Sequence, residues 1–214
     1  MQHAELWVDE AAHLLHFGRR SFPCDREIAA ALPWKEHALL LSADTDCLSL
    51  WDHDGLIRTT RVGVYPQGMA IAKATVYVCG GADGKLHLLS LPALRKVAEF
   101  DMPGMPERVC ICGSTAWVLS LLPDAEVCTA LLQLNLYSGT LIECTRFADI
   151  PGALTADQTG LWVGVSGLAV HIPWETDKPD TIVEGIGLPG QIEVRPGGVL
   201  ITDLLEDRQL FIRT

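Results

Sequence analysis

A short apolar pattern with an aromatic or aliphatic centre returns six times along the chain. Its central residues are spaced 33, 37, 40, 45 and 38 positions apart. A proline stands eleven residues before four of these centres, so it forms a second mark that recurs in phase with the apolar pattern. The prolines are Pro66, Pro106, Pro151 and Pro189, and the six centres are Trp7, Leu40, Tyr77, Trp117, Trp162 and Leu200. Two marks in phase at a period of about 40 residues indicate a repeat built from short strands.

Each repeat contains up to four strand segments, which we call slots one to four. Slot one follows the proline and has apolar residues two positions apart, as at Met69 and Ile71, which is the period of a strand. Slot two is the apolar pattern itself, and slot three follows a turn rich in Gly and Asp. Slot four is more polar, as in residues 95–100, which is typical of an exposed edge strand. Such a repeat predicts an all-β protein, the β-propeller, in which each repeat forms one blade.

The slots are not equally frequent, and their count determines the predicted architecture. Slots two and three occur six times, slot four five times and the proline-led slot one four times. Residues 26–32 are interpreted as a fourth-slot strand or a loop, and residues 33–38 as a degenerate first slot. We therefore predict a single domain over residues 1–214 with six blades, three-stranded first and last blades, and no helix longer than about ten residues. Five blades with an irregular closure, and a ring completed by a second chain, are the alternatives.

The aromatic centres of slot two are aligned by the repeat. Trp7, Tyr77, Trp117 and Trp162 occupy the same position in their units. We therefore predict that all four are structurally equivalent and buried between blades.

Three short motifs fit a known kind of propeller repeat. Val76-Tyr77-Val78 stands where a Tyr-Val pair is expected, Pro66-Gln67-Gly68 forms a Pro-x-Gly, and Leu50-Trp51-Asp52 ends in a Trp-Asp pair. On these motifs the chain resembles the YVTN repeat family, named for Tyr-Val-Thr-Asn, a relative of the NHL and WD-repeat families. The Thr-Asn half is absent from every unit. The resemblance covers the whole chain as an architecture and implies a propeller without implying an activity, because propellers carry many functions.

The chain is acidic, which narrows the kinds of partner that it can bind. Its 214 residues carry a formal net charge of −11, and the sequence pI is about 4.9. Nucleic acids and anionic membrane surfaces attract proteins rich in Lys and Arg, so we expect neither as a partner. No run of about 18 uncharged apolar residues could span a membrane. The first residues also lack the basic start and apolar run that are typical of a signal peptide.

The seven cysteines are odd in number, irregularly spaced and often placed inside apolar strand segments. This pattern is typical of free thiols rather than of a disulfide framework, so it predicts a reducing, cytoplasmic location. Cys110 and Cys112 share one face of an inner strand, and Cys79 is expected on the strand beside it. Zinc needs four ligands, and no further pair lies in phase, so we interpret these thiols as structural.

Other candidate chemistry is also explained better by the repeat than by a reaction. Asp52-His53-Asp54-Gly55 lacks the spacing of an EF-hand and is typical of a turn. His16, His87 and His171 recur in slot three, so we interpret them as half-buried strand positions. The Gly-x-Ser-x-Gly of hydrolases is absent. The sequence therefore predicts no catalytic residue, no metal and no cofactor.

The loops that open the inner strands are the remaining candidate for a binding site. In a propeller these loops point toward the central axis, where distant positions can form one polar pocket. They supply Glu36, His37, Gln67, Glu107, Arg108 and Gln191. Arg108 is the strong cation of the set, so an anionic ligand would contact Arg108 with Gln67 and Gln191 nearby.

Two functions of different classes fit these observations. A non-catalytic binding or scaffold module is preferred, with a protein or a small anionic ligand as its partner. The alternative is a small-molecule-binding enzyme or sensor whose site lies at the mouth of the central channel. An exposed apolar patch around Trp34, Trp174 or residues 121–123 would favour binding. We expect a monomer, or a dimer formed through an open blade edge.

Overall fold

The computed structural model describes residues 6–123, 126–176 and 179–213. This part of the chain forms 22 strands in six antiparallel sheets and contains no helix, which confirms the all-β prediction. It accordingly contains no helix that is long and apolar enough to cross a membrane. The chain divides into two compact units, residues 1–107 and 108–214.

The first unit contains sheets 1, 2 and 3, in each of which the strands follow chain order. Sheet 1 consists of β1 (Leu6–Asp9), β2 (Leu14–Phe17) and β3 (Arg20–Pro23). Sheet 2 consists of β4 (Ile28–Trp34), β5 (His37–Ser42), β6 (Cys47–Asp52) and β7 (Gly55–Arg61). Sheet 3 consists of β8 (Pro66–Ala72), β9 (Thr75–Gly80), β10 (Lys85–Ser90) and β11 (Arg95–Asp101).

Sheets 4, 5 and 6 follow, and the division between the units falls inside the first strand of sheet 4. Sheet 4 consists of β12 (Met105–Cys112), β13 (Thr115–Leu122), β14 (Cys128–Asn135) and β15 (Leu141–Ala148). Sheet 5 consists of β16 (Pro151–Ala156), β17 (Gly160–Val165), β18 (Gly167–Pro173) and β19 (Thr181–Ile186). Sheet 6 consists of β20 (Pro189–Arg195), β21 (Gly198–Asp203) and β22 (Arg208–Arg213).

The four slots read from the sequence correspond to four kinds of strand. Second-slot strands that lie inside a sheet are largely apolar and buried, as in β9, where five of six residues are buried, whereas the edge strand β1 has no buried residue. Fourth-slot strands form the outer edge, and β11 has no buried residue. Short turns join the strands; the β8–β9 turn, for example, has Lys73 at a φ of 56°, and the equivalent turn after β12 uses Gly113 at 61°. Glycine adopts such a positive φ without steric cost.

The sheets pack face to face within each unit. Leu39 and Leu41 of sheet 2 belong to the same buried cluster as Val76 and Val78 of sheet 3. In the second unit, Trp162 of sheet 5 clusters with residues of sheet 6. Each fully buried Leu or Val side chain contributes about 1.5–3 kcal/mol to folding, so these inter-sheet clusters are the main source of stability.

Two sets of β-bulges repeat along the chain. At the start of the inner strands, the unpaired extra residues are Ala29, Gln67, Gly152 and Gly190. Between slots three and four, the extra residues are Ile57, Val97, Cys144 and Gly185. A bulge bends the strand and changes the direction of the side chain that it carries. Gln67 and Cys144 are the members of these sets with polar or reactive side chains.

The predicted boundaries of one inner strand are wrong. The sequence predicts a fourth-slot strand or a loop at residues 26–32 and a degenerate first slot at residues 33–38, but β4 occupies Ile28–Trp34 and is the inner strand of sheet 2. The outer strand of sheet 1 is instead β3, at Arg20–Pro23. The pattern misleads because Pro33 lies near the end of β4, whereas the other slot prolines lie near the beginning of their strands. With β4 included, and among the described residues, sheet 1 lacks only an inner strand and sheet 6 lacks only an outer strand.

The predicted burial of the four aromatic centres holds for two of them. Trp162 is 1% exposed and Tyr77 is buried, whereas Trp117 is half-buried and Trp7 is 50% exposed. Trp7 differs because β1 is the edge strand of sheet 1, while β17 lies between two neighbouring strands. Trp7 stacks on His16, with ring centroids 3.7 Å apart.

The third-slot histidines are not all half-buried as predicted, because His87 and His171 are buried and only His16 is half-buried. They are not all equivalent either. His16 pairs with Trp7 and His171 with Trp162, but His87 pairs with Val78, the neighbour of Tyr77. A shift of one residue places a side chain on the opposite face of a sheet. His87 therefore contacts Asp83, with 2.9 Å between Nε2 and Oδ2, rather than an aromatic ring.

Candidate functional site

Polar side chains meet in the first unit at the end of the sheets where the inner strands begin, which we call the entry end. The hydroxyl of Tyr65 donates to Glu27 Oε1 at 2.7 Å, and the backbone N–H of Tyr65 donates to Asp46 Oδ1 at 2.8 Å. The hydrogen bond and charge of Glu27 raise the pKa of Tyr65, to which the charge of Glu107 adds, while a hydrogen bond from Gln67 lowers it. The structure thus brings Gln67 and Glu107 together around Tyr65, in an acidic cluster.

Arg108 has a structural contact at the entry end of the second unit. Its Nε donates to the backbone oxygen of Gly152 at 2.6 Å, so the half-buried side chain ties β12 to the bulge at the start of β16. Gln191 lies at the start of β20 and is exposed. Gln67 and Glu107 belong to the first unit and Arg108 and Gln191 to the second, so the predicted anion site stays a prediction.

Glu36 and His37 lie at the other end of their strand. Both follow Trp34, the last residue of β4, so they are in the β4–β5 hairpin and not at the entry of an inner strand. The His37 ring packs against the Trp34 ring, with centroids 5.6 Å apart. Their predicted place at the entry end is wrong because β4 begins at Ile28, and Glu27 stands at its entry instead. Sequence reasoning missed Glu27 for that reason, although Tyr65 could have been found directly before Pro66.

The carboxylate of Asp203 accepts several hydrogen bonds at the entry end of the second unit. It is fully buried and accepts backbone N–H groups of Gly187 at 2.9 Å and Leu188 at 3.0 Å, with Leu205 and Glu206 adding longer bonds. Burial alone would raise the pKa of Asp203, but these N–H donors outweigh it and lower the pKa to about 2. Asp203 therefore joins the loop that enters β20 to the β21–β22 turn.

Exposed apolar side chains surround these polar groups in both units. The first unit exposes Val64, Tyr65 and Met105 at its entry end, and the second exposes Ile150, Leu204 and Leu205. Leu205 is 69% exposed. Leu204 lies directly over Gly190, where an added Cβ would come within 2.3 Å of the Leu204 side chain. Glycine at this bulge therefore allows an apolar residue to cover the start of β20.

The predicted arrangement of the thiols is wrong in one respect. Cys79 lies on β9 of sheet 3, whereas Cys110 and Cys112 lie on β12 of sheet 4, so Cys79 is not on the strand beside them. Burial raises the pKa of Cys110 to about 12, and nearby Cys112 adds to the effect. Because metals bind the thiolate form, a thiol held protonated in this way fits a structural role.

The Asp52-His53-Asp54 turn brings three potential metal ligands within 4.8 Å of one another. Asp52 Oδ1 already accepts the N–H groups of Asp54 and Gly55, at 2.7 and 3.1 Å, which lowers the pKa of Asp52. Asp54 also contacts Arg20 at 3.1 Å. These bonds account for the turn without an ion, so its interpretation as a turn is retained.

A hydrogen-bonded chain in sheet 5 has the order of a hydrolase triad. His171 Nδ1 lies 2.7 Å from Asp180 Oδ1, and His171 Nε2 lies 3.1 Å from Thr159 Oγ1. The Thr159 hydroxyl, however, donates to Asp157 Oδ1 at 2.6 Å, and the same oxygen accepts two N–H groups of the turn. The chain therefore joins the β16–β17 turn to β18 and does not present a nucleophile whose proton a base could take.

A cleft of about 560 Å³ opens in the second unit, at the end of the strands opposite to the entry end. It lies between sheets 4 and 5, where the rings of Trp117 and Trp174 are tilted by 40° to each other, with centroids 6.0 Å apart. The loop that carries Trp174 is fixed by two hydrogen bonds, from its N–H to Thr159 O at 3.0 Å and from its Nε1 to Asp157 O at 3.1 Å. Of the three places where an exposed apolar patch would favour binding, Trp174 is 38% exposed, whereas Trp34 and Leu122 are buried.

Comparison with known proteins gives a fold and no family. No protein-family model matches the chain, and no curated protein matches it. Among solved structures, the chain is similar to the computationally designed protein Ika8, with a TM-score of 0.71 and 10% identity over 95% of this chain and 66% of that chain. It therefore spans slightly less than two thirds of the designed protein.

Two natural propellers are similar to the chain over almost its whole length. The WD40 domain of Neurospora crassa Pan2 gives a TM-score of 0.63 at 11% identity, covering 99% of this chain and 78% of that chain. The WD40 β-propeller domain of Doa1 gives 0.70 at 9% identity, covering 98% and 78%. At such identities a similarity shows the fold alone. The chain thus has the architecture of a WD-like β-propeller.

Proposed function

We propose that this protein is a non-catalytic binding or scaffold propeller, with six blades in a single domain, that binds a protein partner at its entry end. The observation that carries the proposal is the exposure of Ile150, Leu204 and Leu205 at the entry end of the second unit, next to Asp203 and backbone turns. Exposed apolar groups bordered by polar ones are typical of protein-binding surfaces. The similarity to WD40 domains supports a binding scaffold in general.

Electrostatics supports a partner with a basic surface. The chain carries a net charge of −11, and the exposed Glu206 lies next to Leu205 at the entry end of the second unit. Complementary charge accelerates association and selects partners. We infer that the partner is a protein with an apolar patch bordered by Lys and Arg, and we propose neither nucleic acid nor a membrane as a partner.

Affinity enrichment from cells that express the protein tests the proposal. We expect wild type and Tyr137→Glu to enrich the same partner, because Tyr137 lies in the β14–β15 turn at the opposite end of the strands and is already 88% exposed. Leu205→Glu should lose the partner, since it places a charge in the apolar surface. Direct titration of the enriched protein against the three variants then measures the loss. Equal enrichment by Leu205→Glu, or no reproducible partner for wild type, would contradict the proposal.

A second candidate is a small-molecule sensor or enzyme at the channel mouth. The observation that favours it is the Tyr65–Glu27 hydrogen bond, with Gln67 and Glu107 beside it. A thermal-shift screen of small molecules with wild type, Tyr65→Phe and Arg108→Ala distinguishes a cationic from an anionic ligand. A cationic ligand should depend on Tyr65 and its carboxylates, and an anionic ligand on Arg108.

The proposal includes the cellular compartment of the protein and its oligomeric state. The irregular, odd set of seven cysteines favours a reducing compartment such as the cytoplasm. The third-slot strand β22 is the last strand of sheet 6, and no fourth-slot strand lies beside it among the described residues of the second unit. A dimer through this edge, alongside a monomer, is the assembly that we propose to test by measuring mass in solution.

A further inference from the structure

We propose that the cleft between Trp117 and Trp174 is a binding site for an organic ammonium group, such as a quaternary ammonium ion or an alkylated lysine side chain. The cleft lies wholly within the second unit and at the strand ends opposite to the entry end. The inference is therefore independent of the partner surface proposed above.

Aromatic faces and a carboxylate provide the attraction. A cation within about 6 Å of an indole ring is attracted by the negative face of the ring, and Trp is the strongest such partner. Trp117 and Trp174 both line the cleft, inclined at 40° to each other, so two indoles can contact one guest. Glu175, the next residue after Trp174, also lines it and supplies a negative charge.

The rest of the lining disfavours an anion. Of the described residues that line the cleft, Glu175 alone is charged, and no Lys or Arg is among them. Leu131, Leu161 and Ile172 form the apolar wall, while Gln133 offers an amide. A weakly hydrated cation with methyl groups satisfies both the apolar wall and the carboxylate, which a phosphate or carboxylate ligand cannot do.

The aromatic pair is held in place before any ligand arrives. Two hydrogen bonds fix the Trp174 backbone and indole to the β16–β17 turn, and the His171–Asp180 contact lies on the strand that leads into this loop. A site fixed in this way loses little conformational freedom on binding, which increases affinity. Its volume of about 560 Å³ is that of a small-molecule pocket, so it can hold a free ammonium ion or one peptide side chain.

Titration with a matched pair of ligands tests the charge requirement. Choline and its neutral carbon isostere 3,3-dimethylbutan-1-ol have nearly the same shape, so a difference between them reports the positive charge. We expect choline to bind and the isostere to bind about five- to tenfold more weakly, as measured by tryptophan fluorescence and calorimetry. A short peptide with trimethyllysine, compared with its unmodified form, tells whether the natural source is a free ion or a side chain. Equal affinity for the two isosteres, or no choline binding up to about 50 mM, would overturn the proposal.

Single substitutions test whether choline binds in this cleft. Trp174→Ala and Glu175→Gln should each weaken choline binding about fivefold or more, whereas Trp174→Phe should retain part of the affinity. The matched controls are Trp7→Ala, another exposed tryptophan but in the first unit, and Glu206→Gln, an exposed glutamate at the entry end. Neither control should change the affinity, and circular dichroism confirms that each variant is folded. Unchanged binding by Trp174→Ala would overturn the proposal, as would a loss with Trp7→Ala equal to that with Trp174→Ala.

Cys144 provides a readout that does not depend on a substitution. It is exposed and lines the cleft, whereas Cys24 is half-buried on the first unit. Choline should slow alkylation of Cys144 by N-ethylmaleimide and leave Cys24 unchanged, as measured by peptide mass spectrometry. Equal rates at Cys144 with and without choline, under conditions where choline is bound, would place the ligand elsewhere and overturn the proposal. Leu205→Glu should not affect this protection, which separates the test from that of the proposed function.

Discussion

At the scale of single residues, the burial of an aromatic side chain depends on its neighbouring strands more than on its place in the repeat. Trp162 and Trp7 both stand opposite a histidine in the register. Trp162 lies on an interior strand and contacts the core between sheets 5 and 6, whereas Trp7 lies on an edge strand. The same sequence signature therefore gives a core residue in one sheet and a surface residue in another.

Replacement of Trp162 by Ala should reduce the free energy of unfolding by about 3–5 kcal/mol, because it leaves a large cavity in the core. Trp7→Ala is the matched control and should cost less than about 1 kcal/mol, since half of its side chain is already exposed. Urea denaturation of both variants measures the difference. A loss with Trp7→Ala as large as that with Trp162→Ala would show that the burial assigned to the two residues is wrong.

Asp203 should make stability depend on pH in the acid range. Its pKa is lowered from 3.8 to about 2 in the folded protein, so the folded state favours the ionised form. The resulting stabilisation is complete above pH 4, roughly, and is lost as the pH falls toward about 2.

Asp203→Asn should therefore be less stable than wild type at neutral pH, and its stability should fall less between pH 4 and 2, roughly. Chemical denaturation at several pH values measures both effects. Glu206→Gln, in the same turn, is the control and should follow wild type. Parallel pH profiles for wild type and Asp203→Asn would contradict the role assigned to Asp203.

At the scale of the elements, the bulges at the starts of the inner strands decide which side chains hold the sheets together. The bulge at Gly152 presents a backbone oxygen to Arg108 of the preceding sheet, and the bulge at Gly190 accepts Leu204 above it. A long side chain at either glycine would collide with these neighbours; an added Cβ at Gly152 would lie 2.4 Å from Pro189 O. These positions are thus constrained by packing between strands rather than by a turn.

Arg108→Ala should lower the free energy of unfolding by about 1.5–3 kcal/mol without any ligand, as expected when a charged hydrogen bond is lost. Arg195→Ala, an exposed arginine on β20 that pairs with Glu193, should cost less than about 1 kcal/mol. Thermal and chemical denaturation give both values. If Arg108→Ala has no effect on stability but abolishes a thermal shift caused by an anion, Arg108 acts as a ligand residue and its structural role is contradicted.

At the scale of the whole molecule, repetition and charge set the general behaviour. Six sheets of similar composition follow one another along the chain, and every described strand pairs with a strand next to it in sequence. The net charge of −11 favours solubility and attracts cationic partners at long range, an effect that salt weakens beyond about 10 Å.

We predict one cooperative unfolding transition for residues 1–214, because a single propeller domain should not melt in parts. Differential scanning calorimetry measures it, and the ratio of calorimetric to van't Hoff enthalpy should be close to one, roughly. The single-domain prediction would fail if two well-separated transitions appeared, each assigned by mass spectrometry to one of the units 1–107 and 108–214.

Much of the strand layout could be predicted from the sequence because the responsible forces are local. Alternation of apolar residues, as at Met69 and Ile71, identifies a strand with one covered face, and polar segments such as residues 95–100 identify an outer strand. Four of the five fourth-slot segments lie within outer strands of the structure, and residues 26–32 are the exception. Net charge is likewise a property of composition alone.

The tertiary structure alone decided the features that depend on distant neighbours. Nothing near Trp7 in the sequence shows that its strand has no inner neighbour, and nothing near Arg108 identifies Gly152 as its acceptor, 44 residues away. The cleft is formed by Trp117 and Trp174, which the chain separates by 57 residues and which only the packing of sheets 4 and 5 brings together. Local patterns determine how a segment pairs, whereas contacts between sheets determine which side chains share a site, and such contacts leave no periodic mark in the sequence.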